Sequence, residues 1–326
     1  MKVFSMFSGI GGFDLAMRNL GHEIVGACEI DKYARQIYAK QFPGVPIHDD
    51  ATQVQAESLP SFDVLCGGFP CQAFSIAGKR KGFNDTRGSL FFEIARIAKE
   101  KQPSILFLEN VKGLFNHDKG ETFRTILSSL DEVGYDVEWQ LHNSKYHVPQ
   151  NRERVYIIGH LRGQRSRQVF PIGRIGKETA KPTIAPINNI PVVNDRGELR
   201  EVERATCLDA SYYKGHDFHG ARTMIAWSSS GRDGFREERI KLGEYNTLNT
   251  GDGCRGQSTA NYIVSKESDI KIRKLTPVEC ERLQGFPDNW TEGISDTQRY
   301  KCCGNAVTVP VVQWIASHFE FPKDLA

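Results

Sequence analysis

Long hydrophobic runs and export signals are both missing from this sequence. No stretch of about 18 apolar residues occurs, which is the length that a membrane-spanning helix needs. The opening segment is short and breaks into glycines at Gly9 and Gly11, so it does not form the charged and then apolar regions of a signal peptide. We therefore expect a cytoplasmic protein with no membrane partner.

An excess of charge of either sign is missing as well. The chain has 42 Lys and Arg residues against 40 Asp and Glu residues, which gives a formal net charge of +2 over 326 residues. Composition alone therefore does not indicate a nucleic-acid-binding protein, and any basic surface has to be local. The length admits one large domain with a second, smaller one.

Metal-binding cysteine patterns are also absent. None of the eight cysteines forms a Cys-x-x-Cys pair, and no histidines follow at zinc-like intervals, so we expect no metal. Seven of the cysteines fit ordinary reduced thiols of an intracellular protein. Cys71 differs, because it follows a proline at the end of a predicted strand.

Short apolar runs alternate with amphipathic stretches through the first half of the chain. Strands are predicted at residues 2–6, 24–29, 62–66, 105–108, 137–141 and 155–159, and helices at 13–20, 32–41, 90–101 and 122–134. This alternation predicts an α/β fold with a doubly wound, mostly parallel sheet. Turn-rich sequence after about residue 160 predicts a smaller, irregular, strand-rich domain. Helical segments follow at 276–284 and 306–319, and the last one is expected to return to the first domain.

The cofactor-binding end of such a sheet is indicated by glycines and acids that follow successive strands. The loop from Phe7 to Gly12 follows the first strand and opens a helix, where glycines let a ligand approach the helix N-terminus. Glu29 ends the second strand and is suited to bind a ribose diol. Asp50 is expected to close a third strand at 45–52 and to accept from an adenine amino group. The Gly-x-Gly-x-x-Gly pattern fails at Asp14, which disfavours a nicotinamide-dependent oxidoreductase.

Several stretches together resemble the cytosine-5 DNA methyltransferases. Along residues 1–160 and 272–320 the sequence contains, in family order, FSGIGGF, CEIDKYA, GGFPCQAFS, TRGSLFFEIARI, LENVKG, QNRERVYIIG, RKLTPVECERLQGFPDNW and GNAV. Several motifs in a fixed order are far more specific than any single one. The resemblance implies an S-adenosylmethionine-dependent methyltransferase fold and methylation of C5 of a cytosine in a specific double-stranded DNA sequence.

The resemblance also implies catalytic roles. Cys71 would be the nucleophile that adds to C6 of the base, which makes C5 able to attack a methylsulfonium. Glu109 would contact ring N3 and the exocyclic amine. Arg154, with Arg152 beside it, would bind the base carbonyl. No residue is indicated as the base for the C5 proton, and water is expected to take it.

S-adenosylmethionine is the implied cofactor. The residues carried over by position are Phe7, Ile10, Gly11, Glu29, Ile30, Asp50, Pro70, Leu90, Asn305 and Val307. Ile30 departs from the family pattern, in which many members place a larger aromatic residue there to stack on adenine.

The implied DNA-binding parts are a catalytic loop and a recognition region. A cytosine in a duplex must be extruded to reach Cys71, and the loop 72–88 is suited to close over it. The candidate DNA contacts are Ser75, Lys79, Arg80 and Arg87 in this loop and, in the recognition region, Arg239 and Thr247. Residues 165–271 would form the target-recognition domain, and residues 1–164 with 272–326 the catalytic and cofactor-binding domain.

Two alternatives remain beside this interpretation. A tRNA cytosine-5 methyltransferase would share the catalytic motifs, but the Cys-Phe-Thr signature of that branch is missing, since Leu208 follows Cys207 and Arg255 follows Cys254. A non-catalytic DNA-binding regulator on the same scaffold would not need Cys71, Glu109 and Arg154 together. We expect a monomer of restriction-modification type, whose cognate restriction endonuclease would act on the same site without a stable complex.

Overall fold

The computed structural model describes residues 1–70, 90–164, 167–170 and 275–319, together with the backbone of four strands between residues 190 and 274. The described residues contain a seven-stranded sheet covered by helices on both faces and a separate four-stranded sheet.

The larger sheet has the strand order β3-β2-β1-β4-β5-β7-β6. Its strands are β1 (Lys2–Met6), β2 (Glu23–Cys28), β3 (Ile47–His48), β4 (Val64–Gly68), β5 (Ile105–Val111), β6 (Tyr135–Asn143) and β7 (Glu153–Leu161). The first five are mutually parallel, and β7 runs antiparallel to both β5 and β6. The mostly parallel sheet that the strand–helix alternation predicted is thereby confirmed.

Seven α-helices accompany this sheet in the described residues. They are α1 (Gly12–Asn19), α2 (Lys32–Gln41), α3 (Leu90–Lys101), α4 (Glu121–Val133), α5 (Pro277–Gln284), α6 (Asp296–Asn305) and α7 (Val309–Ala316). Apolar residues of α1, α2 and α7 share one core cluster with Val3 and Phe107, whereas those of α3 and α4 share another with Phe4 and Leu106. The two clusters lie on opposite faces because successive strand residues point to opposite sides.

Local signals explain where several helices begin and end. Asp31 starts α2, because its carboxylate accepts from the backbone N–H groups of Tyr33 and Ala34. Thr276 and Glu279 form a reciprocal capping box at the start of α5, with Pro277 as the first helical residue. These caps lie in the segments where the sequence predicted helices.

Two predicted elements differ from the structure. The strand expected at 45–52 is only Ile47–His48, and Asp50 does not close it. Asp50 instead caps a short 3-10 helix, Ala51–Gln53, because its side chain accepts from Thr52 N–H and so ends the extended backbone. The helix expected at 306–319 spans only Val309–Ala316, and α6 before it was not predicted.

The smaller sheet contains β8 (Ile190–Val193), β9 (Leu199–Val202), β10 (Arg222–Ser228) and β11 (Ile270–Lys274). Its order is β11-β10-β8-β9, and all three pairings are antiparallel. Within the described part of the chain, no helix combines the length and the apolar character needed to cross a membrane.

Candidate active site

The candidate site lies at one edge of the larger sheet. Strands β1, β2, β4 and β5 are parallel, so the segments that follow them meet at their common carboxyl edge, where ligands bind in open α/β sheets. Most of the predicted cofactor and catalytic residues that the structure describes lie in or directly after these strands, or reach this edge from the start of β7 and from the segment 304–307. Asp50 follows β3, and Leu90 begins α3.

The loop after β1 depends on glycine at position 11. Gly11 has φ 84°, and a Cβ there would lie 2.3 Å from Cε2 of Phe42. Phe7 also has a positive φ of 53°, and Ile10 is buried. The backbone oxygen of Ile10 accepts from the Trp290 indole at 2.9 Å. The loop is thereby held tightly against α2 and the C-terminal segment.

Glu29 ties this loop to the start of α2. One of its carboxylate oxygens accepts from Gly9 N–H at 2.8 Å and the other from Asp31 N–H at 2.7 Å. Burial raises the pKa of the Glu29 carboxyl, and these two backbone hydrogen bonds act against that rise. Each oxygen keeps further lone-pair capacity, so Glu29 remains suited to accept from a ribose diol.

Ile30 and Asp50 are two of the residues predicted to contact the cofactor, and both lie in the described part of the chain. The Ile30 side chain is 71% exposed directly beside Glu29, which is unusual for a large apolar residue. Both hydrogen bonds from Thr52 go to Oδ1 of Asp50, at 2.9 and 2.8 Å. The hydrogen bond from the Thr52 side chain is the main reason why the pKa of Asp50 is lowered, so this acceptor stays ionised.

The end of β4 approaches its neighbours closely. A Cβ on Gly67 would lie 2.1 Å from the backbone oxygen of Met6, and one on Gly68 would lie 3.0 Å from Oε2 of Glu109. The Phe69 backbone oxygen accepts from the Asn110 side chain at 2.9 Å. The chain then passes through the exposed Pro70 towards Cys71.

Glu109 and Arg154 form a largely buried ion pair beside this strand end. Arg154 Nε lies 3.0 Å from Glu109 Oε1, with side-chain exposures of 16% and 10%. The sheet register places Glu109 between Gly68 of β4 and Tyr156 of β7. Burial raises the pKa of Glu109 although both Arg154 and Arg152 oppose the rise. A carboxyl of this kind is suited to share a proton with a bound base.

Arg152 is buried and reaches the C-terminal segment. Its guanidinium donates to the backbone oxygens of Gly304 at 3.3 Å and Ala306 at 2.9 Å. Val307 follows, and its side chain lies 2.7 Å from where a Cβ on Gly12 would be. The structure therefore brings Val307 against the cofactor loop, while Asn305 is exposed beside it.

Other predicted site residues lie at the margin of the described chain or beyond it. Leu90 is half-buried and begins α3. The residues outside the described part are Cys71, Ser75, Lys79, Arg80, Arg87, Arg239 and Thr247. Their roles remain predictions. Among the described residues, no group of His, Cys, Asp and Glu side chains is arranged to hold a metal ion.

Sequence reasoning missed two residues that contact the cofactor edge. Asp31 had a local signal, since an aspartate directly before a periodic helical segment is a typical N-cap. Lys301 had none. Its ammonium lies 2.7 Å from Asp31 across 270 residues of sequence, on a helix that the sequence did not predict.

Comparison with known proteins identifies the relatives of this chain. A family model described as C-5 cytosine-specific DNA methylase matches residues 1–320. The type II methyltransferase M1.ScrFI of Lactococcus lactis subsp. cremoris is 40% identical over 320 residues, which cover 97% of this chain and 77% of that protein. The type II methyltransferase M.HpaII of Haemophilus parainfluenzae is 38% identical over 322 residues, covering 94% and 86%. The crystal structure of a Spodoptera frugiperda DNMT2 mutant matches with a TM-score of 0.66 at 20% identity over 97% of this chain and 98% of that chain, which shows a shared fold.

Proposed function

The chain belongs to the C-5 cytosine-specific DNA methylase family and is a DNA (cytosine-5-)-methyltransferase of restriction-modification type, and we propose that it uses S-adenosylmethionine and Cys71 to methylate an extruded cytosine of double-stranded DNA. The family match favours DNA over tRNA as the substrate, and an enzyme over a regulator.

The observation that carries the proposed roles is the Glu109–Arg154 pair. It lies beside Gly68, from which the chain needs only two further residues, Phe69 and Pro70, to reach Cys71. A buried carboxyl with a raised pKa and an arginine that faces it supply a proton and a fixed positive charge close to the proposed nucleophile.

The proposed chemistry begins when the Cys71 thiolate forms a bond to C6 of the base. The electron pair of the C5–C6 double bond moves into the ring, and Glu109 holds a proton at N3 to neutralise the charge that develops there. C5 would then form a bond to the methyl group of the sulfonium substrate, whose methyl–sulfur bond breaks so that a neutral thioether leaves. Loss of the C5 proton to water restores the double bond, and the C6–sulfur bond breaks to return the Cys71 thiolate.

S-adenosylmethionine would supply an electrophilic methyl group, and the described residues fit it. Glu29 would accept from the ribose hydroxyls, the exposed Ile30 would pack on the adenine, and Asp50 would accept from its amino group. Val307, packed against Gly12, would close the pocket from the C-terminal side.

The DNA partner would be bound by parts that lie mainly outside the described residues. We assign target recognition to residues 165–271, and catalysis and cofactor binding to 1–164 with 272–326. The loop 72–88 would close over the extruded nucleotide. The enzyme would act as a monomer in the cytoplasm. A cognate restriction endonuclease, where one exists, would act on the same DNA site without forming a stable complex with the methyltransferase.

Trapping on modified DNA tests the proposed nucleophile. DNA that contains 5-fluorocytosine should hold the wild-type protein as a covalent adduct, since fluorine at C5 prevents elimination. Cys71→Ser should form no adduct and should lose methyl transfer by about three orders of magnitude or more, because a serine hydroxyl ionises poorly without a base. Cys207→Ser is the matched control and should behave as wild type. An equal adduct with Cys71→Ser would overturn the assignment, and bisulfite sequencing of DNA from expressing cells would report the target sequence.

A further inference from the structure

The turn between β2 and α2 is held from several sides. Arg35 donates to the backbone oxygens of Glu29 at 2.9 Å and Ile30 at 2.8 Å. The Glu29 carboxylate accepts from two backbone N–H groups, that of Asp31 within the turn and that of Gly9 in the loop after β1. This turn carries the residues assigned to ribose and adenine, so its conformation determines where these groups point.

Asp31 joins this turn to the C-terminal segment. Its Oδ1 accepts from the first N–H groups of α2, while its Oδ2 accepts from Lys301 at 2.7 Å. Its own N–H donates to Glu29. A continuous chain of contacts therefore runs from Lys301 through Asp31 and Glu29 to Gly9 in the loop after β1.

The helix that carries Lys301 is itself firmly positioned. Cys302 and Cys303 are buried. Arg299 lies 3.0 Å from the fully buried carboxylate of Glu281. The ammonium of Lys301 is thus presented from a fixed backbone, although its side chain is 41% exposed.

The charges of Lys301 and Asp31 also affect the pKa values of the carboxyl groups in this turn. The negative charge of Asp31 raises the pKa of Glu29, in addition to the larger effect of burial. Burial would also raise the pKa of Asp31, but hydrogen bonds from Lys301 and from the start of α2 outweigh it and lower this pKa. Lys301 therefore compensates two neighbouring carboxylates.

We propose that Lys301 is a positioning residue for S-adenosylmethionine, which holds the 29–31 turn through Asp31 and keeps the Glu29 carboxylate oriented without touching the cofactor. This inference rests on the proposed role of Glu29. It predicts that a residue on α6 affects cofactor affinity and leaves the chemical step unchanged.

Calorimetric titration of the full chain with S-adenosylmethionine tests the inference. Lys301→Met should weaken binding about twofold to fivefold near pH 8, as expected for a partly exposed ion pair. The loss should grow as the pH falls, because the pKa of Glu29 rises further without the ammonium and its carboxylate is then protonated at a higher pH than in wild type. Lys301→Arg should restore most of the affinity. KM for the cofactor should rise while kcat at saturating cofactor stays unchanged.

Lys40→Met is the matched control. Lys40 also links α2 to the C-terminal segment, since it donates to the Glu292 backbone oxygen at 3.0 Å, but it lies outside the chain of contacts to Glu29. This variant should bind the cofactor as wild type does. Asp31→Asn, which keeps a helix-capping side chain, should reproduce the loss of Lys301→Met near pH 8, and the double variant should lose no more than either single one there. The Asp31→Asn loss should not grow on acidification, because this variant also removes the negative charge that raises the pKa of Glu29.

The outcomes separate the two proposals. Wild-type protein that does not bind S-adenosylmethionine would refute the proposed function, and a Glu29→Ala variant that binds normally would refute the role of Glu29 on which this inference rests. If Glu29→Ala weakens binding as expected while Lys301→Met binds S-adenosylmethionine with wild-type affinity, only the role of Lys301 is refuted. Tighter binding in Lys301→Met would also overturn it, since the ammonium would then act only by repelling the positive sulfonium. An equal loss of affinity in Lys40→Met would also refute the role of Lys301, since the loss would then come from general docking of the C-terminal segment against α2.

Discussion

Replacement of Arg154 by methionine tests how the buried ion pair determines both stability and chemistry. Arg154 Nε lies 3.0 Å from Glu109 Oε1, and the two side chains are only 16% and 10% exposed. Methionine keeps much of the volume of the arginine stem and removes its charge. Glu109 would then lie buried beside Gly68, with Arg152 as the remaining nearby cation.

The expected cost follows from this burial. Removal of one partner of a buried ion pair lowers the free energy of unfolding by about 3–5 kcal/mol, because the other charge is left uncompensated. Arg152 still opposes the rise in the pKa of Glu109, so we expect the lower end of that range, about 3 kcal/mol near pH 8.

The pH dependence identifies the group that is left unpaired. Burial already raises the folded-state pKa of Glu109 above its ordinary value of 4.5, and loss of Arg154 should raise it further. Folded protein then binds a proton that the unfolded chain does not, so stability falls as the pH rises between the unfolded and folded pKa values. Wild type shows the same dependence up to its own folded-state pKa of Glu109. On acidification the deficit of Arg154→Met in free energy of unfolding should therefore shrink by up to about 1.4 kcal/mol per pH unit between the wild-type and the variant folded-state pKa values.

Denaturant unfolding at several pH values measures this, with Glu109→Gln/Arg154→Met as the control. The double variant lacks the titrating carboxyl, so its loss of unfolding free energy relative to wild type should be smaller at pH 8. That loss should not shrink on acidification as it does in Arg154→Met. Both variants should lose methyl transfer. A deficit of Arg154→Met that is the same at every pH would refute the reasoning, since Glu109 would then not be the group left without compensation.

Four further predictions concern other parts of the molecule. Glu29→Ala should weaken S-adenosylmethionine binding by about 1.5–3 kcal/mol in calorimetry, through loss of a charge-assisted hydrogen bond, and unchanged affinity would reduce Glu29 to a structural acid. Gly67→Ala should destabilise the fold by about 1–3 kcal/mol or more in thermal unfolding, because its Cβ would lie 2.1 Å from a β1 carbonyl oxygen, whereas Gly113→Ala, with its nearest neighbour at 3.9 Å, should be nearly neutral. Arg239→Ala should either relax the preference at one base pair by about 1–3 kcal/mol or weaken all DNA sequences together, which salt dependence distinguishes. A folded, active chimera that carries residues 165–271 of a relative with another specificity, yet still methylates the original site, would contradict the assignment of recognition to that region.

Local pattern in the sequence was sufficient for much of the catalytic scaffold. The predicted bounds of β1, α2 and α3 agree with the structure to the residue. These elements have strong local signals, namely a buried apolar run, a capping aspartate and a periodic apolar face. Family motifs also placed Glu29 and Glu109 at strand ends, which the sheet register then brought to one edge.

Local pattern failed at two places, once because of a short-range side-chain contact and once because contacts between distant segments decide the conformation. Asp50 lies after β-like sequence, yet its own side chain caps a 3-10 turn and ends the strand early. The helix α6 has little apolar periodicity, and its place depends on buried cysteines and on the Arg299–Glu281 pair.

The sequence by itself determined the chemistry, because residue types in a fixed order specify which groups are available for reaction and for cofactor binding. Only the tertiary structure decided which groups support them. It turned Arg152 towards the backbone of residues 304–306 and set Lys301 against Asp31. Contacts across 152 to 270 residues have no local periodicity, since they arise from packing that forms only when the C-terminal segment returns to the sheet.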